Sequence, residues 1–188
     1  MSKTLILMFH PDPSRSNANV AMARAAAALP DVEVVDMMAA CPEGLHLFRD
    51  GEREAARLLA VDRIVLQFPV QWYSTPPLLK SWQDAVLTRM FYITYETEGR
   101  HLEGTPLMIA ATAGNTREAY SAGGQNLFPM TELIAPLRAT AHRCRLDWAE
   151  PFFLYRADKL SPDEIEAAAQ DYAAHLARWI DARAEQVA

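Results

Sequence analysis

The sequence alternates short, almost unbroken apolar runs with stretches of helical character, and this alternation restricts the chain to the α/β class. Thr4–His10 (TLILMFH) is apolar nearly throughout and stops at Pro11, as a strand covered on both faces should. Val32–Asp36 (VEVVD) is β-branched, Arg63–Pro69 (RIVLQFP) closes on a proline, Pro106–Ala111 (PLMIAA) repeats the pattern, and Trp148–Tyr155 is the last apolar run. Asn17–Leu29 lies between the first two, alanine-rich and free of internal Gly or Pro. Gly51–Ala60 is charged and amphipathic. Behind Pro76-Pro77, Leu78, Leu79, Trp82, Val86 and Met90 recur at helical spacing, and Met130–Cys144 reads as helix despite Pro136. Ser161-Pro162-Asp163-Glu164 opens a final helix to about Ala184, with a Ser cap, Pro in the first turn and Glu three after the cap.

The order β-α-β-α-β-α-β-α-β predicts a doubly wound, five-stranded parallel sheet with helices on both faces, and one domain over positions 1–188. A composition 51% hydrophobic and 22% charged supplies a core without a disordered majority. The net charge of −6, with no run of Lys or Arg, argues against a nucleic-acid partner. The opening MSKTLILMFHPDP is too short for a signal-peptide apolar region, and no stretch approaches the ~18 apolar residues of a membrane span. Cys41 and Cys144 form no C-x-x-C pair and read as reduced thiols of a cytoplasmic protein.

Ligands of such sheets bind beyond the carboxyl ends of the strands, so the loops there carry the functional reading. The first runs from His10 to Asn19 (HPDPSRSNAN) into a helix. Its hydroxyls, one Arg and the helix N–H groups suit a phosphate, although Ser16 or Asn17 acting merely as a cap accounts for the same residues. It holds no glycine and matches neither common nucleotide fingerprint. The second, Pro69-Val70-Gln71-Trp72-Tyr73-Ser74-Thr75-Pro76-Pro77, offers two adjacent aromatics that either stack on a flat ligand or plug the core. The third, Thr112-Ala113-Gly114-Asn115-Thr116, is small and polar and leads to Tyr120. Convergence of the three favours a planar, phosphorylated cofactor.

These segments, with Phe68–Leu87 (FPVQWYSTPPLLKSWQDAVL) and Thr112–Tyr120 (TAGNTREAY) foremost, resemble the flavodoxin-like NAD(P)H:quinone oxidoreductases. Within that group the chain is similar to the small bacterial members, among them the ancillary quinone-reductase subunit of glutathione-gated potassium efflux systems. The resemblance implies a flavodoxin-like flavin-binding domain that transfers hydride from NAD(P)H through FMN, or alternatively FAD, to a quinone or similar acceptor by a two-electron ping-pong mechanism. His10, Ser16, Asn17 and Asn19 then hold the phosphate and ribityl chain. Pro69, Val70, Gln71, Trp72 and Tyr73 line the isoalloxazine, and Thr112, Ala113, Gly114 and Asn115 approach its pyrimidine side. Tyr120 is the catalytic donor to the N1/O2 edge. Asn126 stands, with Gln125, nearest to where relatives often carry a histidine that assists it. A homodimer completes the site, with Tyr92 and Tyr95 contributing to substrate binding. A regulatory subunit peripherally associated with a membrane transporter, or a flavodoxin-type electron carrier, is the alternative.

A hydrolase is not indicated, because no G-x-S-x-G elbow exists and Ser74 has no acid–base partner in sequence. His10, His46, His101, His142 and His175 lack metal-ligand spacing, so no metal site is expected. Cys41 has no basic neighbour in sequence and reads as structural, and Trp82 and Trp179 read as core.

Overall fold

The structure, a computed structural model, describes residues 3–187, so positions 1, 2 and 188 of the expected domain lie outside it. Strands β1 (Thr4–Met8), β2 (Val32–Asp36), β3 (Arg63–Pro69), β4 (Pro106–Thr112), β5 (Asp147–Trp148) and β6 (Phe152–Leu154) form one sheet. Its order is β2-β1-β3-β4-β5, β6 also pairs with β4, and every pairing is parallel. From β1 the chain moves outward to β2 and then returns across β1 to β3. The strand order reverses there, which opens a crevice at the carboxyl ends of β1 and β3.

Alternation along the central strands sorts their side chains into two cores. Leu5, Leu7, Ile64, Leu66 and Phe68 belong to one, with Leu58 of α3 (Leu47–Leu59) and Trp82 of α4 (Pro77–Trp82). Ile6, Val65, Met108 and Ala110 belong to the other, with Met22 and Ala26 of α1 (Ala18–Ala27) and Tyr172 and Leu176 of α8 (Pro162–Val187). Because both faces are covered, β1 is buried at all five positions, and its apolar run is legible as a strand.

Four elements differ from the sequence reading. Helix α3 begins at Leu47, ahead of Gly51, because the His46 ring nitrogen Nδ1 accepts from the Phe48 N–H at 3.3 Å and starts it early. Gly51 stays inside that helix because a Cβ there would lie 3.1 Å from Arg89 Cδ. The helix expected through Met90 becomes π-helical turns at Gln83–Leu87, Arg89–Ile93 and Tyr95–Gly99, ending in α5 (Arg100–Leu102). The helix over Met130–Cys144 divides at Ile134 into α6 (Met130–Leu133) and α7 (Ala135–Arg143), where Pro136 removes an N–H from the ladder. The last strand divides into β5 and β6, since Pro151 cannot donate to β4. Leu107 pairs with Trp148 but Ala110 with Phe152, so one extra residue bulges between them.

Two further features follow from local chemistry. A short helix α2 (Met37–Ala40) forms where Asp36 Oδ1 accepts from the Met38 and Ala39 N–H groups at 2.9 and 3.3 Å. Ser161 and Glu164 exchange the two bonds of a capping box at the start of α8. Among the described residues, no helix is long and apolar enough to cross a membrane.

Candidate functional site

The loop after β1 enters α1 with its helix N-terminus open. Ser16 is extended (φ −99°, ψ 108°), and its N–H bonds to the Pro13 carbonyl at 3.1 Å. The first α1 bond is from the Ala21 N–H to the Asn17 carbonyl at 3.1 Å, and Asn17 gives no side-chain cap. The hydroxyl of Ser16 makes no hydrogen bond among the described residues. The capping alternative for these two residues is therefore not what the fold uses, and the N–H groups of the first turn face outward with the helix dipole behind them. His10 Nδ1 accepts from the Asp12 N–H at 3.1 Å, which puts the proton of the neutral ring on Nε2. Burial lowers the His10 pKa below its ordinary 6.5, keeping the ring neutral at pH 7.

Asn19 is placed differently from the expectation that it faces a ligand. It is buried, donates from Nδ2 to Thr112 Oγ1 at 2.9 Å, and its carbonyl accepts from Gln67 Nε2 at 2.8 Å. It braces α1 against β3 and β4 beneath the crevice, and Thr112 is buried with it.

After β3 the chain makes a two-residue turn. Gln71 and Ser74 exchange N–H···O=C bonds of 3.0 Å each, and Trp72 (φ +46°) and Tyr73 (φ +65°) both sit in the left-handed region. Bulky residues there cost about 1–2 kcal/mol each. The turn holds Trp72 92% exposed, so the ring does not plug the core. Val70 N–H bonds to the Thr112 carbonyl at 2.8 Å and Gln71 N–H to Ser74. Of the residues expected to line the ring here, Trp72 and Tyr73 are thus the two with N–H groups uncommitted among the described residues. Pro69 ends β3 and has no N–H to give.

After β4, Ala113 is committed on both sides, its N–H to Leu154 and its carbonyl to Ala157 N–H, at 2.8 and 3.0 Å. Gly114 and Asn115 keep N–H groups uncommitted among the described residues, and Asn115 Nδ2 donates to Gln125 Oε1 at 3.0 Å. Tyr120 is half-buried. Burial, then the neighbouring Tyr73, Asp158 and Tyr155, raise its pKa above the ordinary 10, so it remains a hydrogen-bond donor throughout the physiological range. Its expected assistant acts elsewhere: Asn126 Oδ1 accepts from the Tyr73 hydroxyl at 3.4 Å, while Gln125 holds Asn115.

Val70, Trp72, Tyr73, Gly114, Asn115, Tyr120 and Asn126 together wall a cleft of about 280 Å³, joined by Asp158 and Lys159. The last two were missed by the sequence reading, which followed three of the strand-end loops and omitted the one after β6. Arg156 N–H bonds the Asn115 carbonyl and Ala157 N–H the Ala113 carbonyl, both at 3.0 Å, which draws that loop onto the cleft.

Val70 and Tyr73 also border a larger, mostly apolar groove of about 470 Å³ between the π-helical turns and α6–α7. Tyr92 lines it, 69% exposed, with the Arg143 guanidinium 5.2 Å from its ring centre. Tyr95 does not: its hydroxyl donates to Glu103 Oε1 at 2.6 Å and its ring packs on buried Phe91. Cys41 is corrected in one respect. Arg53 Nη2 lies 3.4 Å from its sulfur, brought there by helix α3, yet burial and Glu54 still raise the thiol pKa and keep it unreactive.

Residues 2–176 match a family model described as the flavodoxin-like fold. The uncharacterized NAD(P)H oxidoreductase YdeQ of Bacillus subtilis is 39% identical over 178 residues, 93% of this chain and 86% of that protein. The glutathione-regulated potassium-efflux system ancillary protein KefG of Pectobacterium atrosepticum is 37% identical over 170 residues, 90% of each. Among solved structures, general stress protein 14 of Treponema denticola in complex with FMN superposes with a TM-score of 0.83 at 32% identity, covering 96% of this chain and 98% of that one. An NADPH-quinone reductase of P. pentosaceus gives 0.76 at 30% identity, covering 92% and 96%.

Proposed function

Since this chain belongs to the flavodoxin-like fold family, we propose that it is an FMN-dependent NAD(P)H:quinone oxidoreductase. The observation that carries the reading is the exposed Trp72–Tyr73 turn, held in a strained conformation beside Tyr120 and the free N–H groups of Gly114 and Asn115. The fit extends to the open N-terminus of α1, which supplies what a phosphate needs at the β1/β3 reversal. FMN, when bound, supplies two-electron hydride chemistry. Ser16, Asn17 and the first α1 N–H groups hold its phosphate, Trp72 and Tyr73 its ring, and Gly114 and Asn115 its pyrimidine side.

The chain's own work is electrostatic and positional. Tyr120 keeps its proton and donates toward charge that builds on the pyrimidine edge, together with main-chain N–H groups that need no reorganisation. Asn126 fixes Tyr73 rather than Tyr120, so the proton inventory at the reacting edge rests on one phenol. A two-fold partner covers the groove under Tyr92, which a lone subunit exposes, and NAD(P)H and acceptor use the same opening in turn, as a ping-pong cycle requires.

Purified protein given FMN should bind it noncovalently, oxidise NADPH with a quinone present, and show parallel double-reciprocal lines. Absence of flavin binding would remove the reading, and a fully active monomer would remove the shared site. The likeness to KefG favours a second role, peripheral service to a potassium efflux transporter in the cytoplasm. It predicts copurification with such a transporter, with or without quinone turnover.

A further inference from the structure

Besides Val70 and the aromatic turn, the cleft walls include hydrogen-bond donors: among the described residues the Gly114 and Asn115 N–H groups are uncommitted, and Tyr120 and Lys159 stand beside them. One group contradicts that pattern. Asp158 lines the same cleft and makes no hydrogen bond or ion pair among the described residues. Its carboxylate lies flat against Gly114, with Oδ1, Cγ and Oδ2 at 3.1, 3.5 and 3.6 Å from where a Cβ on that residue would be. The absence of a side chain at Gly114 therefore makes room for this carboxylate. Its place is fixed by the two main-chain bonds from Arg156 and Ala157 and by Lys159 N–H to the Arg156 carbonyl at 2.8 Å.

A carboxylate so placed opposes any ligand that presents acceptors alone. Asp158 is exposed and meets water when nothing is bound, so a ligand that displaces that water against Gly114 must offer the carboxylate a donor. A carbonyl–NH–carbonyl edge presents one donor between two acceptors, and donors flanking a single acceptor are its complement. The hydroxyls of a ribityl chain are the other donors FMN carries. They belong near the phosphate loop after β1, whereas Asp158 follows β6, which stands three strand positions away, about 14 Å.

Resting on the flavin reading above, the geometry points to Asp158 as the acceptor for the imide N3–H of the isoalloxazine, and so as the residue that selects a cyclic imide edge and sets its register against Tyr120. Asp158 touches the cofactor and carries no proton in the reaction.

The test titrates wild type, Asp158→Ala and Asp158→Asn with FMN and with FMN methylated at N3. A charge-assisted hydrogen bond predicts that wild type prefers FMN by about 10- to 100-fold. Asp158→Ala should lose that factor for FMN and bind the two flavins within about twofold of one another. Asp158→Asn, which still offers a carbonyl, should restore most of the preference. It should also shift the midpoint potential of bound FMN to a more positive value, because a negative charge no longer faces the ring. Retention of the full preference by Asp158→Ala overturns the inference and leaves the flavin reading intact. Failure of wild type to bind either flavin overturns both.

Discussion

Ser16→Asp separates two properties of the α1 N-terminus that a phosphate site must combine. Without ligand, the first turn of α1 has outward N–H groups and no side-chain cap. An Asp at the last extended residue supplies an acceptor and a charge opposite in sign to the helix end. The dipole contribution alone is about 0.3–1 kcal/mol, and a cap bond adds about as much. In a chain of this size 1 kcal/mol raises Tm by ~2–4 °C, so the ligand-free variant should melt a few degrees higher than wild type. With FMN the sign reverses. A carboxylate 4–6 Å from one phosphate charge costs about 3–4 kcal/mol at an effective dielectric near 20, or roughly 100- to 1,000-fold in Kd.

Thermal melting with and without FMN, beside a fluorescence titration, reads both quantities. Wild type at one hundred times Kd gains about 2.7 kcal/mol from the ligand, and the variant at that same FMN concentration should gain almost nothing. Ser16→Asn serves as the control, since it caps without charge and should keep FMN affinity within about tenfold. A variant that binds FMN as wild type does would place the phosphate elsewhere. A ligand-free variant less stable than wild type would refute the claim that this helix end lacks a cap.

Three other substitutions test separate parts of the structure. Tyr120→Phe should slow reduction by NADPH about 10- to 100-fold at equal flavin occupancy, and stopped-flow rates within twofold of wild type would remove the hydroxyl from the chemistry. Gly99→Ala puts a Cβ 2.4 Å from the Met90 carbonyl oxygen inside the π-helical turns, so urea unfolding should show a loss of about 1–3 kcal/mol. His10 has its pKa lowered in the fold by burial, so the unfolded chain binds the proton more readily. Its stabilising contribution is complete above 6.5 and is lost as pH falls through the folded value. His10→Asn keeps an acceptor for the Asp12 N–H and should flatten the decline in Tm below pH 6.5, and an unchanged profile would show that the ring titrates normally.

The sheet was legible because burial on both faces leaves a compositional mark. Thr4–Met8 and Arg63–Pro69 need apolar side chains on alternate sides, and nothing local competes with that requirement. The helices were legible in existence and less so in form. The spacing of Leu79, Trp82, Val86 and Met90 fits one apolar face, but it does not show that the chain widens into π-turns. That change depends on Gly99 meeting the Met90 carbonyl and on Arg89 reaching Glu98 at 2.7 Å, contacts set by the fold. Pro151 was visible in the last apolar run, yet reading one strand through it ignored the missing N–H that divides β5 from β6.

The site divides along the same line. Ser16, Trp72, Gly114 and Tyr120 could be chosen because each lies in a loop that the sheet topology sends to one edge. Asn19, Asn126 and Tyr95 lie in equally suitable places, but their side chains are taken up by Thr112, Tyr73 and Glu103. Side-chain commitment of this kind leaves no periodic signal. Asp158 is the converse, a charge brought to the cleft by two main-chain bonds between loops more than forty positions apart. The Trp72–Tyr73 turn shows what a sequence can still imply when propensity argues against the structure. A tight turn of this backbone shape is normally filled by Asn-Gly, which meets positive φ without strain. Two aromatics there give up about 2–4 kcal/mol of local stability, offset by the bonds of Gln71, Ser74 and Val70 to their neighbours. The fold alone gains little from that exchange, because Trp72 is almost fully exposed and Tyr73 adds only its hydroxyl bond to Asn126. On the flavin reading proposed above, a flat ligand resting on them would recover the cost, which is the sense in which a strained turn points to a binding site.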